Sequence, residues 1–459
     1  MRSAFEQYFA SLRGKKIAVL GLGVSNRPLV RLLLKFGCDV TGCDRVEREK
    51  LEEEVLELER LGCKLSLGAG YLDGVRADIV FRTPGMHPAN PALERLREQG
   101  AKVTSEMQVF FELCPCQIIA ITGSDGKTTT TTIVSELLKA EGKTVWLGGN
   151  IGTPLLSYVP EMKPEDFAVV ELSSFQLMDM TRSASRAAIT NITPNHLDVH
   201  KDMEEYIQAK MNVFRFQGED GLLVVNADDE ITASVRGVGE TRYFSRREVL
   251  ENGVFLENGV IFRAGNGKAE KVMDVSDVLL PGIHNVDNYM TAIAVTDGLV
   301  SRETIRHVAR TFGGVEHRIE LVREKNGVRF YNDSIASSPT RTIAGLRSFE
   351  ERVILIAGGY DKKIPFDVLG PEVCRHVKRL YLTGATAQKI YDAVVNCPDY
   401  RQGYPEIFMI DDFDETVRAA AASAEAGDVV LLSPACAAFD KFKNFMVRGK
   451  HYKKLVQEL

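Results

Sequence analysis

Short apolar runs alternate with amphipathic stretches through most of the chain. In the first hundred residues, strand-like runs at 17–23, 40–44 and 79–85 are separated by helical patterns at 28–36 and 47–61. Strands and helices that alternate in this way predict a parallel sheet covered by helices on both faces.

Two further series of strand-like runs follow. The second comprises 117–123, 144–149, 167–173, 187–193 and 222–226, and the third comprises 329–332, 353–359, 380–384, 407–410 and 429–433. The pattern breaks at 254–262, where two β runs flank Asn258-Gly259, a dipeptide typical of tight hairpins. We therefore expect a small antiparallel annex beside the second sheet.

The chain has 459 residues. At about 150 residues per domain, this length suggests three domains, in agreement with the three series. We predict an α/β protein with a Rossmann-like domain at 1–105, a central P-loop domain at 106–314 and a Rossmann-like α/β domain at 315–459.

Composition narrows the functional classes. The chain carries 57 Lys and Arg against 63 Asp and Glu, a net charge of −6, which argues against broad coating of nucleic acid. The longest apolar stretch, 17–34, contains Arg27 and Arg31, so no stable membrane insertion is expected. The scattered cysteines favour a reducing cytoplasm, and Cys114-Pro115-Cys116 has no second pair that would complete a zinc site.

The most informative segment is Thr-Gly-Ser-Asp-Gly-Lys-Thr-Thr at 122–129. It follows an apolar strand and opens a helical pattern, so backbone N–H groups can cradle phosphate while Lys127 reaches the β- and γ-phosphates. The Thr128 hydroxyl can bind Mg²⁺. The spacing departs from the usual P-loop because Ile121 stands where a glycine is expected.

The first domain contains a related turn, Gly21-Leu22-Gly23, with Asp44 about 20 residues further on. This pattern suits a nucleotide. Asn26 replaces the third glycine of the dinucleotide motif, so NAD is disfavoured.

Three other candidate side chains lie within the second series of strands and helices. Glu171 ends one strand, where it can bind Mg²⁺ or remain a solvated acid. His196, in the Asn-Ile-Thr-Pro-Asn-His-Leu-Asp segment at 191–198, is a metal ligand, an orienting donor or a surface residue. Lys210 lies on a predicted helix, and its residue context alone favours a solvated helix face.

Motifs in a fixed order give the chain a resemblance to a family. In addition to the phosphate loop and the 191–198 segment, they are Gly-Gly-Asn-Ile-Gly (148–152), Glu-Leu-Ser-Ser-Phe-Gln-Leu (171–177), Gly-Ile-His-Asn-Val-Asp-Asn (282–288), His317-Arg318, Tyr-Asn-Asp-Ser (331–334), Gly-Gly-Tyr-Asp-Lys (358–362) and the block 432–445. The chain closely resembles the Mur ligases, and the 171–177 and 432–445 segments resemble the branch that adds D-glutamate.

The resemblance implies a three-domain ligase of peptidoglycan synthesis that uses ATP and Mg²⁺, with two ions expected. The first domain would hold a UDP-sugar substrate, the second would be the ATPase, and the third would bring D-glutamate. ATP would convert a carboxylate to an acyl phosphate, which the amine of D-glutamate then attacks. These substrates are small molecules, and we expect a monomer.

The resemblance also implies roles for individual residues. ATP would be bound by Gly123, Ser124, Asp125, Gly126, Lys127, Thr128, Thr129, Asn285, Asn288, Arg318 and Asp333. The UDP substrate would contact Ser25, Asp44, Arg45 and Asn150, and D-glutamate would contact Lys362, Ser433 and Phe442. The metal would contact Thr128, Glu171, His196 and a carbamylated Lys210, and the catalytic residues would be Lys127, His196 and Lys210.

The chain departs from the family pattern at three places. Asp125 stands where Asn is common, Ile335 replaces a common lysine, and Ser337-Ser338-Pro339 replaces the usual Ala-Thr-Asn. The D-glutamate pocket is therefore less closely specified than the ATP site.

Three alternatives predict different features. A folylpolyglutamate synthetase shares the phosphate loop but lacks the Rossmann-like first domain and the C-terminal block. A P-loop switch would carry an Asn-Lys-x-Asp segment, and this sequence has none. An inactive scaffold would lose residues such as Lys127, Glu171 or Lys210, all of which are retained.

Overall fold

The structure, a computed structural model, describes residues 3–196 and 199–459. These residues form an α/β protein with sheets of five, nine and six strands. The chain divides into two compact units. The first contains the residues up to Val275 together with Asp287–Val308, and the second contains Ser276–Val286 and Ala309–Leu459. The α/β fold class is confirmed.

The first sheet has the strand order β3-β2-β1-β4-β5, and all of its strands are parallel. Its strands are β1 (Lys16–Leu20), β2 (Asp39–Asp44), β3 (Lys64–Leu67), β4 (Ile79–Phe81) and β5 (Lys102–Thr104). The helices of this part are α1 (Ala4–Ser11), α2 (Asn26–Lys35), α3 (Glu53–Arg60), α4 (Pro91–Glu98) and α5 (Glu106–Leu113). The order reverses between β1 and β4, so ligands are expected beyond the carboxyl ends of these two strands.

The second sheet has the order β14-β13-β12-β11-β10-β9-β6-β8-β7. Its strands are β6 (Gln117–Thr122), β7 (Val145–Gly149), β8 (Phe167–Glu171), β9 (Arg186–Ile189), β10 (Leu222–Asn226), β11 (Glu240–Ser245), β12 (Gly253–Glu257), β13 (Val260–Gly265) and β14 (Lys268–Asp274). The helices are α6 (Lys127–Ala140), α7 (Ser174–Leu177), α8 (Met203–Met211), α9 (His284–Val295) and α10 (Arg302–Thr311). Because β6 lies between β8 and β9, the loop that follows it is held between two parallel neighbours.

The predicted hairpin is present at the far edge of this sheet. Glu257 pairs with Val260 across Asn258 and Gly259, whose φ angles are 48° and 75°. Positive φ at both central residues is the requirement of a type I′ turn, which Asn-Gly meets at low cost. β12 continues the main sheet in parallel with β11, and β13 and β14 extend it by antiparallel pairing.

The third sheet has the order β15-β16-β20-β17-β18-β19. Its strands are β15 (Glu320–Lys325), β16 (Val328–Asn332), β17 (Val353–Ala357), β18 (Val377–Leu382), β19 (Glu406–Met409) and β20 (Val429–Leu432). The helices are α11 (Pro339–Leu346), α12 (Leu369–His376), α13 (Ala387–Val395), α14 (Phe413–Ala422) and α15 (Phe445–Glu458). Only β15 pairs antiparallel, with β16.

In the first unit, one core is shared by the first two sheets. Buried side chains such as Phe9, Leu33, Phe110, Val170 and Ile189 belong to a single apolar cluster. The predicted limits of three domains, at residues 105 and 314, remain a prediction.

Some elements differ from the sequence prediction. The predicted helix at 47–61 is shorter, because a 3₁₀ turn at Arg48–Lys50 precedes α3. The threonine run is helical, and the hydroxyl of Thr131 donates to the carbonyl of Lys127 at 2.8 Å. Among the described residues, the helices are too short or too polar for a membrane span.

Candidate active site

The phosphate loop joins β6 to α6, and its two glycines have no room for a side chain. Gly123 has a φ of 146°, and a Cβ there would lie 1.9 Å from Oγ1 of Thr190. Gly126 has a φ of 77°, and its Cβ would lie 2.4 Å from Oδ1 of Asn288. Both positions require glycine, because a side chain at either would collide with Thr190 or Asn288.

Hydrogen bonds from the loop after β9 fix the phosphate loop. The N–H of Ser124 donates to the carbonyl of Asn191, and its Oγ donates to the carbonyl of Thr193, each at 2.9 Å. The N–H of Asp125 donates to Oδ1 of Asn191 at 2.9 Å. The side chain of Asp125 is exposed to solvent. The added negative charge therefore lies at the surface of the loop.

Positive charge gathers at the same loop. Nζ of Lys127 donates to the carbonyls of Gly123 and Ser124, at 3.0 and 2.8 Å. Nζ of Lys210 donates to the same Gly123 carbonyl at 2.7 Å. Together with the N-terminus of α6, which follows this loop, Lys127 makes an anion site, to which Lys210 adds charge when it is protonated.

A carboxylate lies beside this cationic group. Glu171 is 1% exposed at the end of β8. Its Oε2 accepts from Oγ1 of Thr128, and its Oε1 accepts from Nδ2 of Asn150, each at 2.7 Å. Asn150 therefore belongs to the phosphate-loop cluster in this structure.

Oxygen donors of this kind fit Mg²⁺, which binds one or two protein oxygens and completes its shell with phosphate and water. Thr128 and Glu171 supply such oxygens side by side. Within residues 3–196 and 199–459, no three His, Cys, Asp or Glu side chains are grouped as a metal cage. The residues thus fit an ion that arrives with phosphate.

Lys210 is buried, and the interpretation as a solvated helix face is wrong. It is 2% exposed, and its Nζ lies 4.5 Å from the centre of the Tyr206 ring. Burial, reinforced by the positive charge of Lys127, lowers the pKa of Lys210 to about 7. A substantial fraction of this amine is therefore neutral near neutral pH.

His196 lies on the loop after β9. Its φ is 56°, its side chain is exposed, and its ring centre lies 5.0 Å from that of Phe175. The last two residues of its motif, Leu197 and Asp198, lie outside the described residues. The roles of His196 in metal binding and catalysis remain predictions.

His200 is a candidate that sequence reasoning missed. It is 2% exposed, and its Nε2 forms a 2.9 Å hydrogen bond with Oγ of Ser174. Its Nδ1 lies 3.5 Å from Oε2 of Glu205, and its ring stacks on Phe175. These contacts tie α7, which follows Glu171, to α8, which carries Lys210. The sequence feature that could have pointed to His200 is its spacing, four residues after His196.

The turn after β1 is closed by Asn26. Its Nδ2 donates to the carbonyls of Leu20 and Gly21, at 3.0 and 2.9 Å. Oδ2 of Asp44 accepts the N–H of Leu22 at 2.7 Å. The side-chain amide of Asn26 therefore stabilises the turn at the position where the dinucleotide motif has its third glycine.

Of the other residues predicted to hold the UDP substrate, Ser25 and Arg45 are exposed. A small cavity in the first unit is lined by Ser25, Asn26, Arg82, Pro84, Ser105, Glu106, Met107, Gly149, Pro154 and Gln176. It connects the turn after β1 to residues that flank the phosphate-loop cluster. Burial raises the pKa of Glu106 to about 7, which makes this carboxyl a second candidate that the sequence did not reveal.

The second unit brings Asp333 and Ser433 together. Oγ of Ser433 donates to Oδ2 of Asp333 at 2.7 Å. Burial raises the pKa of Asp333 to about 7, although this hydrogen bond and the positive charge of Arg318 oppose the shift. Arg318 and Asp333 are thus near each other, as their shared predicted role requires.

The two predicted ATP-binding asparagines belong to different units. Asn285 is buried in the second, and its Nδ2 donates to the carbonyl of Pro281 at 2.6 Å. Asn288 is buried in the first, where its Oδ1 accepts from Oγ1 of Thr130 at 3.1 Å. Thr129 is half-buried in the first turn of α6.

The predicted D-glutamate residues lie on loops of the second unit. Nζ of Lys362 lies 3.5 Å from both the carbonyl and the hydroxyl of Ser337. Phe442 packs its ring against Phe413 and His451, with ring centres 5.1 and 5.6 Å away. Its contact with an amino acid remains a prediction.

Comparison with known proteins identifies the class that this fold and site define. Residues 121–296 match the Mur ligase middle domain, and residues 317–436 match the Mur ligase glutamate ligase domain. The chain belongs to the Mur ligase family.

Individual relatives narrow the comparison. The chain is 51% identical to UDP-N-acetylmuramoylalanine–D-glutamate ligase of Acetivibrio thermocellus and 48% identical to that of Clostridium novyi, and each alignment covers 100% of both chains. Among solved structures, UDP-N-acetylmuramate–alanine ligase of Thermotoga maritima superposes with a TM-score of 0.58 at 20% identity. That alignment covers 97% of this chain and 99% of the other, and it supports the fold.

Proposed function

We propose that the protein is an ATP-dependent ligase that joins D-glutamate to UDP-N-acetylmuramoyl-L-alanine in peptidoglycan synthesis. The observation that carries this proposal is the cluster of Lys127, Lys210, Thr128 and Glu171 around the phosphate loop. Full-length similarity to UDP-N-acetylmuramoylalanine–D-glutamate ligases supports the choice of substrates.

The chemistry explains why these side chains are needed. A carboxylate is a poor electrophile, so its oxygen first attacks the γ-phosphorus of ATP, giving an acyl phosphate and ADP. Lys127 stabilises the charge that develops on the phosphoryl oxygens, and the backbone N–H groups at the N-terminus of α6 orient them. Mg²⁺, held by Thr128 and Glu171, would neutralise further phosphate charge when bound.

The second step forms the amide bond. The neutral amine of D-glutamate attacks the acyl carbon, the C–O bond to phosphate breaks, and inorganic phosphate leaves with the electron pair. Lys362, Ser433 and Phe442 would hold D-glutamate for this attack, and Arg318 and Asp333 would contact the nucleotide. Orientation of the amine supplies much of the rate gain for such a step.

Lys210 is proposed to be carbamylated. Carbon dioxide reacts with a neutral amine, and burial leaves much of Lys210 neutral near pH 7. The carbamate on Lys210 would place an oxygen ligand for a metal ion close to Lys127. His196 would be a further ligand of that ion. A second Mg²⁺ would then have protein oxygen to bind.

The UDP substrate would extend from Ser25, Asp44 and Arg45 toward Asn150. The cavity that Ser25 and Gly149 both line supports this path. We also propose that the protein acts as a monomer in the cytoplasm.

The deciding experiment measures phosphate and ADP release with paired substrates. We expect release only when ATP, UDP-N-acetylmuramoyl-L-alanine and D-glutamate are all present, with an amide product of matching mass. Release with L-glutamate and a folate instead would contradict the proposal. The Lys127→Ala variant controls for contaminating ATPase activity.

A further inference from the structure

Two basic side chains, Arg341 and Lys362, contact the loop of residues 334–338, which links β16 to α11. The carbonyl of Ile335 accepts the N–H of Ser337 at 2.8 Å and Nη1 of Arg341 at 3.3 Å. Nζ of Lys362 lies 3.5 Å from both the carbonyl and the hydroxyl of Ser337. A guanidinium and an ammonium group thus converge on the 334–338 loop.

The charge on Arg341 is available to a ligand. Its side chain is exposed, and it forms no ion pair with a carboxylate among residues 3–196 and 199–459. Its positive charge opposes the rise in the pKa of the Asp333 carboxyl, which already accepts a hydrogen bond from Ser433. By contrast, Arg347 at the end of the same helix binds both oxygens of Glu372 at 3.0 Å.

The sequence of the loop gives a reason for this arrangement. Residues 334–338 are Ser-Ile-Ala-Ser-Ser, so the loop carries no cation of its own. Arg341 lies six residues after Ile335, in the first turn of α11, and its guanidinium contacts the carbonyl of Ile335. Arg341 therefore supplies positive charge beside an uncharged loop.

We infer that Arg341 binds one carboxylate of D-glutamate, while Lys362 binds the other. This inference rests on the proposed function. D-glutamate has two carboxylates, and each is stabilised by a charge-assisted hydrogen bond from a cation. Arginine can bind a carboxylate through two parallel N–H···O bonds, which also fixes the direction in which the amine points.

Steady-state kinetics of Arg341→Met test the inference. We expect the KM for D-glutamate to rise about 10- to 100-fold, the effect of losing a charged hydrogen-bonding partner, while the KM for ATP stays within about twofold. Arg341→Lys should recover part of the affinity. The double variant Ile335→Lys/Arg341→Met should recover about tenfold over Arg341→Met, because it places a positive charge on the loop itself.

Arg347→Met is the matched control, since it removes an exposed arginine from the same helix and should leave all KM values unchanged. A KM for D-glutamate within twofold of wild type in Arg341→Met would overturn the inference. The inference would also be overturned if the KM of the double variant for D-glutamate were no lower than that of Arg341→Met. An equal rise in the KM for every substrate would overturn it as well. Failure of the wild-type protein to release ADP with D-glutamate would instead contradict the proposed function.

Discussion

The phosphate loop and the 334–338 loop each lie beside two basic side chains, but they hold these side chains differently. At the phosphate loop, Lys127 and Lys210 donate to backbone carbonyls at 2.7–3.0 Å, and Lys210 is buried. At the 334–338 loop, Arg341 and Lys362 are exposed, and their contacts measure 3.3–3.5 Å.

This difference separates a preorganised site from an adaptable one. Groups already fixed by packing lose little freedom when the transition state forms, so each stabilises it strongly. Exposed side chains must be ordered by the ligand, and this cost reduces what each contributes. Substitutions at the phosphate loop should therefore reduce kcat strongly, whereas those at the 334–338 loop should act mainly on the KM for D-glutamate.

The largest effect is expected for Lys127→Ala. Loss of this charge from the phosphate loop should reduce kcat at least about 100- to 1,000-fold, because phosphoryl transfer depends on electrostatic stabilisation. Lys139→Ala is the control, since Lys139 lies on the same helix and pairs with Glu136 at the surface. A Lys127→Ala enzyme within tenfold of wild type would remove the distinction between the two loops.

Lys210→Ala should reduce kcat about 100-fold through loss of the carbamate oxygens. Added short-chain carboxylic acids should restore part of the activity, because they replace those oxygens in the space left behind. Lys127→Ala, assayed with the same acids, should show no recovery. Unchanged activity in Lys210→Ala would refute the proposed role.

Lys362→Met should raise the KM for D-glutamate about tenfold with little change in kcat, because an exposed ammonium gives a modest charged interaction. The measurement compares the KM for D-glutamate with that for ATP. Lys363→Met changes the neighbouring exposed lysine and should behave as wild type. A fall in kcat with no change in KM would show that the second loop is preorganised like the first.

The smallest expected effect concerns stability. Lys210 has a folded pKa of about 7, below its usual 10.5. Between these values the unfolded chain binds the proton and the folded chain does not, so stability should rise with pH from 7 to 10.5. The slope should be about 1 kcal/mol per pH unit at most, and it should vanish in Lys210→Met.

Fluorescence of Trp146 can follow this transition, because it is the only tryptophan of the chain and lies on β7 in the same unit. Urea unfolding in buffer free of carbon dioxide would exclude the carbamate. A wild-type slope equal to that of Lys210→Met would contradict the lowered pKa.

Much of the fold could be predicted from sequence because the central strands are continuous apolar runs. Strands such as β1, β6 and β17 are buried along most of their length, and their pattern is unambiguous. The edge strand β3 has no fully buried residue, and β5 has only three residues, so neither leaves a clear pattern. The membership of the Mur ligase family, predicted from ordered motifs, is confirmed.

The site could be predicted only where chemistry and spacing coincide in a short segment. The phosphate loop is such a segment. Lys210 is not, since its burial depends on packing against the phosphate loop, where it contacts Gly123, 87 residues earlier in the chain. His200, Glu106 and Arg341 became candidates only when burial or neighbouring groups were known, because each residue type is common at a protein surface.

The contacts of Lys127 have a consequence for inhibitor design. Its ammonium group already donates to two carbonyl groups in the loop. A neutral heterocycle bound there would only replace one uncharged hydrogen-bond acceptor with another. A compound gains affinity at this point only if it brings formal negative charge. Selective leads should therefore be sought first among molecules that engage the exposed guanidinium and ammonium groups of the second unit.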